Sequence, residues 1–564
     1  MPRLLRVVPL IAALMGAPVL AQDGDPGAFL AARVAASQSD YQAAATWFTR
    51  ALLSDTANPD LLEGAAIAYI NLGQIDLAAD VATRLLALGG RNQTATLALI
   101  AKSAKDEDFD ALLNDAAEGQ TAGALLKGLV QAWAELGRGR MSEAQAGFDR
   151  LAKTKGLEPF GLYHKALALA SVGDFEGADE IMSGRAAGSF TTTRRGIVAH
   201  VQVLSQLENN TEAVAVLDRN FPQGQDPEID DLRRRLVAGE PVPFTMARGA
   251  VDGLAEVFFS MATALNGEAD DGYTLMYARI ATYLRDDHID SILLTAGLLE
   301  AQAQFDLATD AYALIPPDSP ASYVAEIGRA DATYAAGRKE ASIEILQALA
   351  RSQADNLAVQ VALGDGLRRE ERFAEATLAY DAAIALVPEP AGRHWILFYS
   401  RGICHERGGD FPAAEADFRR AMDLNPDQPQ VLNYLGYSLV DRGEKLPEAL
   451  SMIERAVAAQ PDQGYILDSL AWALFRMGRH DEALAPMEKA SLLEPVDPVV
   501  TDHLGDVYWV VGRTLEAQFQ WRRALSFDPA EKDAVRIRRK LEIGLDAVLA
   551  EEAATGAPLI NAQP

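Results

Sequence analysis

Residues 395–426 read WILFYSRGICHERGGDFPAAEADFRRAMDLNP, and the same pattern returns three more times before Pro529. Three positions of the pattern recur at steps of 34 or 35 residues. They hold a small residue, an alanine and a proline: Gly402, Gly436, Ala471 and Gly505; Ala421, Ala456, Ala490 and Ala524; Pro426, Pro461, Pro495 and Pro529. A fixed period of this length in four consecutive copies indicates a stack of repeated structural units.

Each copy reads as two helices joined by a short turn. In the first copy, Gly409 and Asp410 mark the turn, and Pro426 ends the second helix because proline cannot continue a helix. Small residues recur in both helices, and two antiparallel helices need them in order to approach closely. The pattern therefore predicts an all-α chain of stacked helix pairs.

The period and the small-residue positions resemble those of tetratricopeptide repeats. This resemblance implies a right-handed solenoid of helix-turn-helix units, closed by a C-terminal capping helix. A narrower likeness is carried by four segments: LNYLGY (432–437), ILDSLAWAL (466–474), DHLGDVYW (502–509) and WRRAL (521–525). They look like the C-terminal repeats of bacterial envelope proteins that act as adaptors for carboxyl-terminal processing proteases.

In tetratricopeptide repeats, the first helix of each pair lines the concave side. The positions three before, one after and four after the crossing residue point into the groove. Eight residues at these positions are predicted to form a protein-binding groove: Tyr399, Asn433, Tyr437, Asp468, Trp472, Phe475, Asp502 and Trp509. Aromatic anchors beside polar groups are typical of such grooves. The alternative is that each aromatic side chain packs against the next repeat.

The rest of the chain contains weaker copies of the pattern. Ala32 and Ala66 are one period apart near the start of the array, and a Pro- and Gly-rich stretch interrupts it further on. The predicted organisation is a signal peptide (1–21), a partly degenerate N-terminal array (22–219), an irregular break (220–247), middle repeats (248–394), four strong repeats (395–529), a capping helix (530–553) and a disordered tail (554–564).

The last repeat of a solenoid has no neighbour to cover its apolar edge, so a further helix with one polar face is expected. We predict one helix from Asp533 to Ala550. Its basic residues are expected on the solvated face: Arg536, Arg538, Arg539 and Lys540. An anion site is the alternative for this basic cluster.

The sequence carries 80 acidic and 51 basic residues, a formal net charge of -29. Such a field disfavours nucleic acid and anionic lipid as general partners. Arg3 and Arg6 precede a short apolar run, and residues 19–21 (VLA) are typical of a signal-peptide cleavage site. We therefore expect cleavage after Ala21 and a soluble periplasmic protein with no integral membrane segment. We expect no lipid anchor, since Gln22 and not a cysteine would come first.

Motifs of catalysis and cofactor binding are missing from the sequence. It has no Gly-x-Ser-x-Gly elbow, no Gly-Lys-Ser/Thr phosphate loop and no His-Glu-x-x-His zinc motif. Cys404, the single cysteine, is expected to be a small packed residue and not a reactive thiol. We predict no enzyme activity, no cofactor and no metal site. An enzyme whose site lies in the irregular middle of the chain is the alternative.

The sequence therefore predicts a periplasmic scaffold whose partners are proteins. The adaptor resemblance implies, in addition, that the chain recruits a carboxyl-terminal processing protease, its cell-envelope substrates such as cell-wall hydrolases, or both. A scaffold or holdase in envelope assembly, with no protease partner, is the alternative.

Overall fold

The structure is a computed structural model that describes residues 25–89, 91–118, 123–185, 193–224 and 226–555. The predicted signal peptide and residues 556–564 of the predicted tail lie outside these ranges. The described residues form two compact units, one up to Ile345 and one from Leu346 onwards. None of the helices in the described ranges is long and apolar enough to cross a membrane.

The first unit is built of helices, and no strand occurs among its described residues. In chain order they are α1 (Pro26–Ser37), α2 (Tyr41–Ser54), α3 (Pro59–Asn71), α4 (Ile75–Ala87), α5 (Gln93–Lys105), α6 (Phe109–Glu118), α7 (Gly123–Gly137), α8 (Met141–Ala152), α9 (Glu158–Ser171), α10 (Phe175–Met182), α11 (Arg194–Gln206), α12 (Asn210–Asn220), α13 (Pro227–Val237), α14 (Ala250–Leu265), α15 (Asp271–Leu284), α16 (Ile289–Ala301), α17 (Phe305–Tyr312) and α18 (Ser322–Ala335). The boundary between the units lies inside α19 (Lys339–Ser352).

The second unit is also helical throughout its described residues. A short 3-10 helix (Gly392–His394) precedes α22. The α-helices are α20 (Leu357–Arg369), α21 (Phe373–Ala385), α22 (Trp395–Arg407), α23 (Phe411–Leu424), α24 (Pro429–Asp441), α25 (Leu446–Ala459), α26 (Gly464–Arg476), α27 (His480–Leu493), α28 (Pro498–Val510), α29 (Thr514–Leu525), α30 (Glu531–Ile543) and α31 (Leu545–Thr555).

In several helix pairs, the turn consists of a left-handed residue followed by a capping aspartate. Gly409 has a φ of 86°, a conformation that glycine adopts at little cost. Asp410 then accepts a hydrogen bond at 3.2 Å from the backbone N–H of Ala413, which caps α23. Asp40 and Asp174 cap α2 and α10 in the same way. The Gly-Asp pair read from the sequence therefore starts the second helix.

The small residues lie where the two helices of a pair cross, as the repeat pattern predicts. A methyl group at Gly436 would lie 2.7 Å from Ile453 Cγ1, and one at Gly505 would lie 2.4 Å from Trp521 Nε1. Both distances are much shorter than a van der Waals contact. These helix pairs can therefore approach as they do only because the side chain is missing.

A basic side chain on the second helix ties each strong repeat to the one before it. Lys489 donates to the carbonyl oxygen of Pro461 at 2.8 Å and to Asp462 at 2.9 Å. One period later, Arg523 donates to the carbonyl oxygen of Pro495 at 2.5 Å. The prolines that end the repeats thus also present a carbonyl group to the next helix pair.

In the first unit, α14 and α15 pack against the first helices of earlier repeats. Helix α14 contacts α5, α7 and α9, and α15 contacts α3 and α5. A methyl group at Gly253 of α14 would lie 2.3 Å from the ring of Trp133 on α7. Trp133 follows the crossing residue Ala132, so it holds a groove position. Helix α14 therefore lies on the side of α7 that lines the groove.

Hydrogen bonds hold α15 against the same side of the array. Gln93 of α5 donates to the hydroxyl of Tyr273 at 2.7 Å, and Arg279 donates to the carbonyl oxygen of Asn71 on α3 at 2.9 Å. The chain itself thus fills the groove of the first unit from α3 to α9. The sequence pattern did not predict this, because α14 and α15 were expected to continue the array.

The capping segment consists of two helices, so the prediction of one helix from Asp533 to Ala550 is wrong. Gly544 separates α30 from α31 with a φ of 84°, and its N–H bonds to the carbonyl oxygen of Lys540 at 2.9 Å. A methyl group at Gly544 would lie 2.8 Å from the ring of Trp509. A glycine in the left-handed conformation ends a helix, and here it turns α31 towards α28.

Candidate protein-binding site

The eight predicted groove residues lie on α22, α24, α26 and α28 of the second unit. Tyr399 and Trp509 are half-buried. The other six are buried: Asn433, Tyr437, Asp468, Trp472, Phe475 and Asp502. Partner binding by these residues stays a prediction. The contacts that bury them show how far the chain itself fills the groove.

Trp472 and Phe475 belong to a stack of rings between α26 and α28. The ring centroid of Trp472 lies 4.0 Å from that of His503 and 4.8 Å from that of Phe475, with interplanar angles of 11° and 9°. Only 2% of Trp472 is exposed. In this conformation both predicted anchors contact the chain itself, which is what the packing alternative expects.

Asp468 has an ionisable partner on the next first helix. His503 Nδ1 lies 2.9 Å from Asp468 Oδ1, and both side chains are buried. Burial alone would lower the pKa of His503, but the carboxylate of Asp468 outweighs it and raises that pKa above its ordinary value. The carboxylate therefore favours the protonated form of the histidine.

Asp502 belongs to a buried ion cluster that joins the last repeat to α30. Lys540 Nζ lies 2.7 Å from Asp502 Oδ2 and 2.7 Å from Asp506 Oδ1. Arg536 Nη1 lies 3.4 Å from Asp506 Oδ2, and Trp521 Nε1 donates to Asp506 at 2.8 Å. Two carboxylates thus face two cations inside the protein, and the cluster is close to neutral.

The two carboxyl groups of this cluster are shifted in opposite directions. Burial raises the pKa of Asp502 above its ordinary value. Burial would raise the pKa of Asp506 too, but the charges of Lys540 and Arg536 outweigh it and hold that pKa below its ordinary value. Asp506 is therefore the carboxyl group of the pair that more readily stays ionised.

The predicted solvated face of the capping helix is wrong for two of its four basic residues. Lys540 is buried and Arg536 is largely buried, whereas Arg538 and Arg539 are exposed. The reason lies in the repeat register, since Arg536 and Lys540 follow Asp502 and Asp506 by one period of 34 residues. Helix α30 occupies the first-helix position of a further repeat, and the same offsets would have identified both residues.

Helix α31 crosses the groove side of α28 and α30. Trp509 Nε1 donates to Asp546 at 3.1 Å, and Arg536 donates to Glu552 at 2.7 Å. Leu545, at the start of α31, is fully buried. Because Trp509 and Arg536 both hold groove positions, α31 covers the groove at the end of the second unit.

Three polar atoms of predicted groove residues remain without a partner in the described part of the chain. They are Asn433 Oδ1, Tyr437 OH and Trp472 Nε1, and all three are buried. Burial raises the pKa of Tyr437 well above its ordinary value, so its hydroxyl stays protonated. Buried polar groups are rarely left unpaired. In this conformation the chain covers these three atoms without pairing them.

In the first unit, the groove is open at its start. A cavity of about 430 Å³ lies between α1, α2 and α3. Charged side chains line its rim and apolar ones its floor: Arg33, Asp60 and Glu63 on the rim, and Ala44, Phe48 and Ile67 on the floor. A concave site with an apolar floor and a few charged groups suits a peptide segment.

This part of the groove was not predicted, although the repeat register in the sequence marks its residues. Arg33 and Ile67 each follow a crossing residue, Ala32 and Ala66, by one position. Phe29, three before Ala32, is 40% exposed and lies one turn from Arg33 on the same face. The offsets applied to the strong repeats therefore identify this site when they are applied to the first two repeats.

A serine and a histidine lie close together in the first unit without forming an activated nucleophile. Ser260 Oγ is 3.4 Å from His164 Nε2, but His164 Nδ1 accepts a hydrogen bond from Trp133 Nε1 at 3.2 Å. The proton of the neutral ring therefore sits on Nε2, which donates to Ser260 and cannot take its proton. Burial lowers the pKa of His164 to about 4, so the ring stays neutral.

The single cysteine is not an activated nucleophile either. Cys404 is buried, as predicted, and burial raises the pKa of its thiol to about 11. The thiol therefore stays protonated and unreactive at neutral pH. Within the described residues, no group of three His, Cys, Asp or Glu side chains is arranged to hold a metal ion.

The class of the protein follows from the helix pairs and their period. A family model described as tetratricopeptide repeat matches residues 361–429 and 433–491. The prediction of an all-α tetratricopeptide solenoid is confirmed, and a scaffold of such repeats is suited to protein binding.

Individual relatives match parts of the chain. A TPR repeat-containing protein of Pseudomonas aeruginosa is 27% identical over 242 residues, which are 43% of this chain and 34% of that protein. Photosystem I assembly protein Ycf3 of Synechococcus elongatus is 36% identical over 70 residues, 12% of this chain and 40% of Ycf3. The chain thus spans less than half the length of either relative. Among solved structures, Cut9 in the APC/C hetero-tetramer Cut9-Hcn1 gives a TM-score of 0.39 at 14% identity, over 92% of this chain and 96% of that one.

Proposed function

We propose that this chain is a non-catalytic periplasmic scaffold that binds protein segments, and that it works as an adaptor. In this role it recruits a carboxyl-terminal processing protease, its cell-envelope substrates such as cell-wall hydrolases, or both. The observation that carries protein binding is the open groove over α1, α2 and α3. The adaptor role is supported by the resemblance of the last repeats to such adaptors.

The open groove has the features that a bound peptide segment needs. Arg33 and Glu63 offer opposite charges across the cavity, and Ile67 and Phe48 offer an apolar floor. Since α14 and α15 fill the groove from α3 onwards, a partner segment enters at the cavity between α1, α2 and the face of α3 that carries Glu63 and Ile67. Phe29, exposed beside the cavity, is the aromatic anchor of this proposed contact.

The predicted groove of the second unit is a second proposed contact surface. Its support is the set of unpaired polar atoms on Asn433, Tyr437 and Trp472. Tyr399 and Trp509 are its two half-buried aromatics. Since α31 covers Trp509, Tyr399 is the one that a partner meets first.

The export prediction supports the periplasmic location, and the first residue of the mature protein tests this prediction. The basic start, the apolar run and the residues 19–21 belong to the described pattern of a cleaved signal. N-terminal sequencing of the protein from the periplasmic fraction should therefore start at Gln22.

A capture experiment tests the binding function. Purified mature protein is used as bait in envelope extract, beside a double variant in which Phe29→Ala is combined with Arg33→Glu. We expect the parent to retain a processing protease or cell-wall hydrolases. The variant should retain at least roughly tenfold less of these proteins, because a few anchor side chains in a groove provide most of the binding energy. Both side chains are exposed, so circular dichroism should not change.

Leu30→Ala is the matched control, because Leu30 is 64% exposed on the same helix but does not line the cavity. It should retain the same proteins as the parent. Equal capture by the parent and the Phe29/Arg33 variant would place the contact elsewhere. Capture of no envelope protein by any bait would contradict the proposed function.

A further inference from the structure

An apolar patch faces solvent on the last repeats of the second unit. Its four side chains are 63–80% exposed: Leu492 (80%), Val496 (69%), Leu515 (80%) and Phe519 (63%). Large apolar side chains that are exposed singly are common, but a group of them marks an interaction surface.

One hydrogen bond brings the two halves of the patch together. Arg523 on α29 donates to the carbonyl oxygen of Pro495 at 2.5 Å, and Val496 is the next residue in the chain. Phe519 lies one turn before Arg523, and Leu515 lies one turn before Phe519. The exposed face of α29 and the turn after α27 therefore form one surface.

The repeat architecture does not require these apolar residues. In the three preceding strong repeats, the position of Phe519 holds small residues that are also exposed: Ala416, Ser451 and Ala485. The position of Val496 holds Asp462 one period earlier, where the carboxylate pairs with Lys489. At Val496 the repeat lacks this ion pair and exposes an apolar side chain instead.

One basic residue of α29 lies beside the patch. Arg522 is exposed, lies three residues after Phe519 on the same face of α29, and makes no ion pair among the described residues. The surface therefore combines apolar side chains with a positive charge that is left unpaired.

We propose that this patch, formed by Leu492, Val496, Leu515 and Phe519, is the docking surface for an acidic amphipathic helix of a partner protein. The apolar side of that helix packs on Phe519 and Leu515, and its carboxylates lie beside Arg522. The proposal rests on the protein-binding function and adds a third surface, on the second helices of the repeats and outside the groove. An anionic membrane fits less well, because the field of the acidic chain repels it.

A synthetic helical peptide tests the proposal directly. It carries leucines on one face and glutamates on the other, and a second peptide has lysines in place of the glutamates. Fluorescence anisotropy with the mature protein should show binding of the acidic peptide and not of the basic one. Phe519→Ala and Arg522→Glu should each weaken binding roughly tenfold or more, because central aromatic and arginine side chains dominate such contacts.

Leu378→Ala is the matched control. Leu378 is 68% exposed and holds the position of Phe519 on α21, but Ala374 and Asp381 stand in the positions of Leu515 and Arg522. Its replacement should leave the affinity for the acidic peptide unchanged, and the circular dichroism of all the variants should match the parent.

Each contrary result overturns the proposal. Equal affinity of the parent and Phe519→Ala for the acidic peptide, or equal binding of both peptides by the parent, would show that this patch is not the docking surface. Sedimentation with anionic vesicles that is lost on Phe519→Ala identifies a membrane contact, and a dimer in sedimentation velocity that Phe519→Ala dissociates identifies contact with a second copy. The outcomes are separable from the capture experiment: loss of peptide binding with intact capture overturns only this inference, whereas absent capture overturns the proposed function.

Discussion

Replacing Lys540 with methionine is expected to destabilise the end of the second unit by about 3 to 5 kcal/mol, because it leaves two buried carboxylates with too little positive charge. Lys540 contacts Asp502 and Asp506 at 2.7 Å, and none of the three side chains is appreciably exposed. Arg536 reaches the same carboxylates only at 3.4 Å and 3.8 Å. Amide hydrogen exchange in α30 and α31 should therefore speed up by roughly a hundredfold or more.

Arg538→Met is the matched control for Lys540→Met. Arg538 lies on the same helix, is exposed, and pairs only with Glu531 at 3.3 Å. Its loss should change exchange in α30 very little, since exposed ion pairs contribute at most about 1 kcal/mol. If Lys540→Met and Arg538→Met exchange at the same rate, the buried cluster does not hold the capping helices in place.

Replacing Arg195 with methionine is expected to destabilise the first unit by about 3 to 5 kcal/mol. Arg195 of α11 pairs with Glu256 of α14, whose side chain is completely buried, and with Asp290 of α16. Burial would raise the pKa of Glu256, but Arg195 and His288 outweigh it and hold that pKa well below its ordinary value. Without the guanidinium, a buried carboxylate loses its main counter-charge. Thermal unfolding of the first unit should shift to lower temperature.

The neighbouring Arg194 is the matched control for Arg195. It pairs with Asp226 and Glu228 at the surface, where water screens the charges. Arg194→Met should therefore shift unfolding by about 1 kcal/mol at most. Equal melting temperatures of the Arg194 and Arg195 variants would mean that the Glu256 cluster does not link α14 to α11.

The repeat architecture could be predicted from the sequence because its causes are local. A crossing helix pair needs a small residue at a fixed distance from a turn, and Gly436 and Gly505 show why: a single methyl group would collide with the partner helix. The period of 34 then places every equivalent residue. The contacts that follow from this register, including the hydrogen bonds of the capping aspartates, join residues within one repeat or in neighbouring repeats.

The filling of the grooves could not be predicted in the same way, because it depends on contacts between distant parts of the chain. Trp133 and Gly253 are more than a hundred residues apart, and the sequence marks neither as a partner of the other. Helix α31 covers Trp509 because Gly544 changes the direction of the chain. A glycine at that position is compatible with both a helix end and a flexible tail.

For the candidate site, the register identified the positions but not their environment. It placed Asp468 and Asp502 correctly on first helices. The partners of these carboxylates, His503 and Lys540, lie at positions that were not considered when the groove residues were chosen. The same register also contains the open cavity at Arg33, between α1, α2 and α3, which the later helices leave unfilled. Periodicity thus fixes where a side chain lies in a repeat, whereas the long-range packing decides whether a partner can reach it.

The most direct test of the adaptor role is a cleavage reaction with purified components. A periplasmic carboxyl-terminal processing protease and a cell-wall hydrolase substrate are mixed with or without this protein, and the loss of intact substrate is followed over time. We expect faster cleavage with the parent protein and no acceleration with the Phe29→Ala/Arg33→Glu variant. Cleavage at the same rate with and without the parent protein would contradict the adaptor role.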